Sequence, residues 1–283
     1  ASDVYKRQEL YSVTGGVPKY IELFSESSDI YRAIQKCVLN RSGYLYDEPH
    51  FLLQQEVSEV GSYFSIIKAI AAGNHKLSTI ASVLEVKSTN LTKYLKTLMD
   101  LDILERRVPV TEENPEKSKR GLYKIKDNYL RFWFAFIYPN MSFIESGHSG
   151  IVMDKIRRGL TTSHIGFVYE DICQERLWEL NVNNTWPFQF SKLGGYWDAK
   201  NEIDIAALDP EGKNLILGEC KYWKEPVGLN VLHALETKAC DVAWERDRRK
   251  VWYVLFSISG FSDELRNHAA TRDDLLLIDD GER

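Results

Sequence analysis

The sequence predicts a multidomain α/β protein, and three observations predict it. Apolar residues recur at helical spacing through most of residues 9–138, with one strand-like pair set among the helices. Between Asn201 and Lys221 two strand patterns flank an Asp-Pro-Glu-Gly turn, and helix and strand patterns continue on both sides of them. The chain has 283 residues, 44% of them hydrophobic and 27% charged, enough to bury more than one core.

Composition narrows the function classes. A formal net charge of −5 gives no global nucleic-acid signature, so any basic surface has to be local. Four cysteines, Cys37, Cys173, Cys220 and Cys240, form no Cys-x-x-Cys, and the six histidines have no metal-ligand spacing. The cysteines read as reduced thiols of a cytoplasmic protein. No apolar run approaches the roughly 20 residues of a membrane span, and no signal peptide or internal repeat is visible. Residues 1–8, Ala-Ser-Asp-Val-Tyr-Lys-Arg-Gln, lack a starting Met and read like a translated sequencing adaptor. The expectation is a non-native leader followed by the C-terminal fragment of a longer protein.

Residues 9–60 read as helices with interruptions. Gly15-Gly16 makes a turn, Pro18 suits the first position of a helix, and Asp29–Leu39 and Pro49–Val57 are further helices. Residues 61–138 carry the clearest pattern. Tyr63, Ile66, Ile67 and Ile70 mark one helix, ended at Gly73-Asn74, and Leu77, Ile80, Ala81 and Leu84 mark a second. Ser88 is placed as the N-cap of a third, whose Leu91, Leu95, Leu98 and Met99 face inward. A strand over Ile103–Val110, a polar loop over Thr111–Gly121 and a return strand over Leu122–Ile125 complete a winged helix-turn-helix.

The third helix turns Thr89, Asn90, Lys93, Lys96 and Thr97 outward, and the hairpin adds Arg106, Arg107, Lys117, Lys119 and Arg120. From Asn74 to Arg131 twelve Lys and Arg stand against eight Asp and Glu, a local excess that suits phosphate contact. The candidate DNA-binding residues are Thr89, Asn90, Lys93, Lys96, Arg106 and Arg107. Winged helices also dock proteins, so a protein partner or self-association stays open beside DNA. The block Arg131-Phe-Trp-Phe-Ala-Phe-Ile-Tyr-Pro139 could stack bases. So many consecutive large apolar residues call for burial, however, and a packing helix is the expectation. Residues 139–160 read as the connection to the last domain.

That domain, 161–283, opens with an amphipathic helix over Gly166–Leu177 that carries Glu170. Asn201–Leu208 and Lys213–Lys221 follow as paired strands, Leu229–Trp244 as a helix, and Val251–Ile258 and Leu275–Ile278 as strands. On the second strand Leu215, Leu217, Glu219 and Lys221 share one face, and Ile216, Gly218 and Cys220 the other. Both faces begin apolar, as in a central strand buried on both sides. A Glu and a Lys at the end of such a strand are costly unless they pair or hold something. Asp204 stands between Ile203 and Ile205 on the first strand.

Two carboxylates and an ammonium on paired strands are the groups that metal-dependent phosphodiester cleavage uses. The carboxylates hold a hard divalent cation, the cation lowers the pKa of a bound water, and the Lys orients or deprotonates that water. The same residues also read as a same-face ion pair beside a turn-proximal charge. Tyr196, Trp197 and Trp223 read as core, rim or cleft lining. Lys238, on the helix after the motif, could approach the same cleft and touch phosphate, but a solvated helix face is the preferred reading; His233 reads as structural.

Asp204 with Glu219-Cys220-Lys221 resembles the signature of the PD-(D/E)XK, restriction-endonuclease-like nucleases, with Ile203 where the motif name has Pro. The order helix, strands, helix, strand is similar to that nuclease core. The resemblance implies Asp204 and Glu219 as ligands of Mg²⁺ or Mn²⁺, Lys221 as the residue that positions water, and Glu170 as an accessory carboxylate. Three stretches resemble archaeal-ATPase-type, STAND-like AAA+ proteins: Thr14-Gly-Gly-Val-Pro-Lys-Tyr20, Tyr123-Lys-Ile-Lys-Asp-Asn-Tyr-Leu-Arg-Phe-Trp-Phe134, and Glu202-Ile-Asp-Ile with Gly218-Glu-Cys-Lys.

In element order that second resemblance covers nearly all of Glu9–Asp279. It implies a truncated helical lid at 9–60, a winged helix at 61–138 and, at 161–283, a C-terminal domain of unknown function 234. That last domain would have a restriction-endonuclease-like mixed β-sheet flanked by helices. ATP binding is implied only for a P-loop domain upstream, because no Gly-x-x-x-x-Gly-Lys-Ser/Thr occurs in this chain. The expectation is a DNA-binding protein with a metal-dependent nuclease domain. The alternative is a non-catalytic DNA- or protein-binding regulatory module of that ATPase, with an inactive nuclease fold.

Overall fold

Pro18 and Pro49 each stand in the first turn of a helix in the computed structural model, which describes residues 2–280. The chain divides into two compact units. One comprises Lys6–Arg107 with Arg120–His164; the other comprises the residues up to Tyr5, Val108–Lys119 and those from Ile165 onward. Among the described residues no helix is long and apolar enough to cross a membrane.

The helical unit begins at Lys6 within α1 (Ser2–Thr14), a helix that includes the described part of the stretch set aside as a leader. Gly15 and Gly16 take φ of 62° and 78°, left-handed values that glycine adopts without a Cβ clash, and release the chain into α2 (Pro18–Ser25). The next helix, α3 (Ile30–Cys37), starts where Asp29 accepts hydrogen bonds from the Tyr31 and Arg32 backbone N–H groups. After α4 (Glu48–Glu56) comes α5 (Val60–Ala71), which buries Tyr63, Ile66, Ile67 and Ile70 as their spacing requires.

Helices α6 (Leu77–Val83) and α7 (Ser88–Asp100) follow, then β1 (Leu104–Arg107) and β2 (Leu122–Ile125), paired antiparallel from Leu104↔Ile125 to Arg107↔Leu122. Two local expectations need correction. Ser88 is not the N-cap: Lys87 holds that position, with no side-chain cap bond, and Ser88 lies in the first turn. The first strand ends at Arg107 rather than Val110, before Pro109, which has no N–H to give a ladder. The loop beyond it belongs to the other unit, where the Val110 N–H donates to the Gly195 carbonyl at 3.0 Å.

The aromatic block is core. It runs from α8 (Asn128–Phe132) through a π turn at Trp133–Ile137, and Phe132, Trp133, Phe134 and Ile137 are almost wholly buried. The stretch read as a connection, 139–160, is mostly helical: α9 (Met141–Glu145) and α10 (Ser149–Leu160), the latter burying Val152, Met153, Ile156 and Leu160. His164 is fully buried against the rings of Phe132 and Phe136 and donates to the Ser12 carbonyl at 2.6 Å. Burial lowers its pKa to about 4, so it stays neutral and structural.

The second unit consists of α11 (Gly166–Val182), β3 (Lys192–Trp197), β4 (Glu202–Leu208), β5 (Asn214–Lys221), α12 (Leu229–Asp241), β6 (Lys250–Ser257), α13 (Asp263–Ala269) and β7 (Leu275–Asp279). The strands make one mixed sheet in the order β3-β4-β5-β6-β7, antiparallel from β3 to β5 and parallel from β5 to β7. Parallel neighbours need crossovers, and α12 and α13 supply them. Strand β5 is the centre, buried at every residue from Leu215 to Cys220. Its Leu215 and Leu217 pack with Val231, Leu232 and Leu235 of α12. The other side belongs to α11, whose Cys173 neighbours Cys220.

Gly218 is where this sheet is tightest. A Cβ there would lie 2.6 Å from Val254 Cγ1 and 2.9 Å from the Val254 carbonyl oxygen. Gly218→Ala should therefore cost about 1–3 kcal/mol, because backbone on the neighbouring strand has to shift. The check is urea unfolding, where the midpoint should fall at unchanged slope; an unaltered midpoint refutes the crowding.

Candidate functional site

Asp204 reaches the site through an irregularity in the sheet. Gly194 pairs with Ala206 and Tyr196 with Ile203, so Gly195 alone faces both Asp204 and Ile205. Such a β-bulge bends the strand and re-aims one side chain. On the other edge of β4, Ile205 pairs with Gly218, and one further step of that antiparallel register sets Asp204 across from Glu219.

The side chains converge there. Asp204 Oδ2 accepts the Cys220 backbone N–H at 2.9 Å and lies 3.5 Å from Lys221 Nζ. Lys221 Nζ donates to Glu219 Oε2 at 2.5 Å. The second oxygen of Glu219 accepts from Lys238 Nζ of α12 at 2.7 Å, and the same ammonium donates to the Glu202 carbonyl at 2.7 Å. Helix α11 touches the cluster from its own side: Gln174 Nε2 donates to the Asp204 carbonyl at 3.2 Å. Glu170 precedes Gln174 by one turn; burial first, then Cys173 and Asp204, raise the Cys220 thiol pKa, and the Glu170 charge adds to them from α11.

The two carboxylates are not equivalent. Burial, and after it the negative charge of Glu219, pushes Asp204 up to about 6, against the opposing pull of Lys221 and the Cys220 N–H. Glu219 is almost fully buried too, which by itself would raise its pKa. Yet Lys221 and then Lys238, one on each of its oxygens, bring it below the usual carboxylate range. Lys221 is held protonated, because Asp204 and Glu219 outweigh the desolvation that opposes its charge.

The structure thus brings together Asp204, Glu219 and Lys221, with Glu170 on the adjoining helix face. It also brings in Lys238, for which the sequence left the cleft open but preferred a solvated face. The signal for Lys238 was available only in part: it lies on the same side of α12 as the buried Leu235, but strand order was needed to aim that side at Glu219. Tyr196 is core, Trp197 half-buried, His233 exposed and Trp223 exposed.

Among the described residues no group of three or more His, Cys, Asp and Glu is placed to hold a metal ion. A divalent cation of the Mg²⁺ kind needs less, since one or two carboxylates with water and phosphate oxygens complete its octahedron. Asp204 and Glu219 are oxygen donors of that kind, and both oxygens of Glu219 already accept from ammonium groups, which an arriving ion would have to displace.

In the helical unit, Thr89, Asn90, Lys93 and Lys96 are exposed on α7 while Leu91, Leu95 and Leu98 are buried. The two arginines of β1 are less available than the sequence suggests. Arg107 is ion-paired with Glu105, and Arg106 packs its guanidinium over Gly121, both half-buried.

Comparison with known proteins adds relatives without a described activity. An uncharacterized protein of Methanocaldococcus jannaschii is 38% identical over 217 residues, covering 77% of this chain. The chain spans about half of that relative, 48% of its length. A crystal structure of a repair endonuclease from Pyrococcus abyssi is similar at 11% identity over 36% of this chain and 44% of that one. Its TM-score of 0.25 is too low for the likeness to bear on fold or function. Residues 133–239 match the family DUF234, described as archaea bacterial proteins of unknown function.

Proposed function

We propose that the sheet-containing unit is a divalent-metal-dependent nuclease domain of the PD-(D/E)XK, restriction-endonuclease-like kind, acting on DNA. The observation that carries this reading is the meeting of Asp204 and Glu219 at the buried end of β4 and β5, with Lys221 Nζ at 3.5 and 2.5 Å from their oxygens. Asp204 and Glu219 would hold Mg²⁺ or Mn²⁺. The ion, when bound, would acidify a water and offset charge on the phosphate. Lys221 would orient the attacking water, and Glu170 would assist from α11. Plasmid and branched DNA incubated with Mg²⁺ or Mn²⁺ test this, wild type against Asp204→Ala. Cutting by wild type alone supports the reading; equal cutting, or none, removes it.

One observation favours a second reading. Each oxygen of Glu219 already meets an ammonium, so the cluster is a closed ion network without any metal. A non-catalytic DNA- or protein-binding module would keep such a network for its fold alone.

The helical unit carries the DNA-contact part of the proposal, with α5–α7 and the β1–β2 hairpin as a winged helix and α7 as the helix for the major groove. Changing Lys93 and Lys96 together to Ala should flatten the plot of log affinity against log salt by about 2, close to 0.9 per lost phosphate contact. An unchanged slope in that titration would assign α7 to a protein partner or to self-association instead. Because the chain spans about half of its relative, the reading also leaves an ATP-binding AAA+ domain to the longer protein, with a lid at residues 9–60 of this chain.

A further inference from the structure

The geometry points to Trp223 as a stacking platform for an unpaired base, which would make single-stranded or splayed DNA the substrate class of this site; the inference rests on the nuclease reading. Trp223 follows Lys221 by two residues, just past the end of β5, and its side chain is exposed at 47%. The Lys221 ammonium lies 5.8 Å from the centroid of its ring. That same ammonium sits between the two carboxylates of the site. The ring is therefore about one sugar's reach from where a scissile phosphate would lie, the distance at which a nucleotide carries its own base.

The ring also stands on a held backbone. The Ser259 hydroxyl donates to the Trp223 carbonyl. Farther along the same loop the Val227 N–H donates to the Gly260 carbonyl at 2.9 Å, and the Ser262 N–H donates to the Val227 carbonyl at 2.9 Å. An exposed indole on a pinned loop loses little freedom when a base stacks on it. Large aromatic side chains are ordinarily buried, and this one is left in solvent with the ammonium of the site over its ring. Stacking is blind to base identity but not to pairing. Inside an intact duplex both faces of each base are already covered by neighbours, so away from duplex ends only unpaired or extruded nucleotides can use the platform. Lys224, the next residue, and Lys221 supply positive charge on the path of the backbone.

The test measures binding apart from cleavage. Fluorescence anisotropy of the full chain with a labelled DNA strand of about 15 nucleotides is compared with the same strand in a blunt duplex, with Ca²⁺ in place of Mg²⁺. Trp223→Ala should weaken single-strand binding about 5- to 100-fold and leave duplex binding unchanged, whereas Trp223→Phe should stay within about 3-fold of wild type. Thermal unfolding of both variants establishes that they are folded. Unchanged single-strand affinity in Trp223→Ala, equal weakening on both DNAs, or a wild-type preference for duplex overturns the inference. Stacking that depends on Trp223 with no cleavage in Mg²⁺ or Mn²⁺ would retain the platform and discard the nuclease. Cleavage indifferent to Trp223 would do the reverse.

Discussion

Asp204→Asn is expected to abolish the metal-dependent cleavage proposed above and, at neutral pH, to leave a more stable protein. On that proposal, the loss of activity follows from removing one of the two carboxylates that would hold the ion. A bound divalent ion contributes several kcal/mol of transition-state charge stabilisation, so the rate should fall by about 10³-fold or more. The gain in stability follows from what burial does to this group. Asp204 carries a folded-state pKa raised to about 6, first by burial and then by Glu219. A raised carboxylate pKa means that the fold favours the protonated form, so its contribution is present below about pH 4 and lost as pH rises through 6.

Asn imitates the protonated form at every pH, and its amide oxygen can still accept the Cys220 N–H that Asp204 accepts at 2.9 Å. The variant should therefore gain about 1–3 kcal/mol at pH 7.5, with the advantage shrinking towards pH 4. Urea unfolding at the two pH values is the measurement. A variant no more stable than wild type at pH 7.5 would mean that Lys221 fully satisfies the aspartate. Stability given up at a site in this way is common where chemistry needs a charge that the fold does not.

Glu219→Ala is expected to do the opposite. Its carboxylate joins two ammonium groups at 2.5 and 2.7 Å, with Lys221 and Lys238 only 20% and 30% exposed. Removing the shared partner leaves Lys221 with only Asp204 at 3.5 Å and Lys238 with only the Glu202 carbonyl, in a poorly solvated place, and breaking a buried pair from one side typically costs about 3–5 kcal/mol. The direction agrees with the pKa of Glu219, which burial raises but Lys221 and Lys238 bring down below its ordinary value. A lowered carboxylate pKa contributes stability above the unfolded value and loses it as pH falls through the folded one. The deficit of Glu219→Ala should thus be largest at neutral pH and smallest in acid. A loss below about 1 kcal/mol at pH 7.5 would show that both lysines reach water freely once released.

Much of the fold can be followed in the residue pattern. The α5, α6 and α7 segments, the hairpin at Asp209–Gly212 and the doubly buried β5 follow from periodicity and turn chemistry, which act between residues close in sequence. β3 was not foreseen as a strand, because Gly194-Gly195 has no β-branched or aromatic signature at its middle. Helix α13 was missed as a short segment started by the Ser262 hydroxyl, which accepts the Leu265 N–H. Helix α10 was taken for a connection although Val152, Met153, Ile156 and Leu160 recur at helical spacing, with Asp154 and Arg157 on the exposed side.

At the site, residue order alone named Asp204, Glu219 and Lys221, since charge beside β-branched and leucine neighbours on a buried strand is conspicuous without coordinates. It could not pair them. That required the bulge opposite Gly195, which turns Asp204, and the crossover through α12, which carries Lys238 to Glu219. Nor could it say which carboxylate would hold its proton more tightly, since that depends on how many ammonium groups reach each buried oxygen. Local pattern specifies elements and candidates; partners drawn from strands and helices far apart in the chain are set only when the sheet closes, because electrostatic energy depends on distance in space.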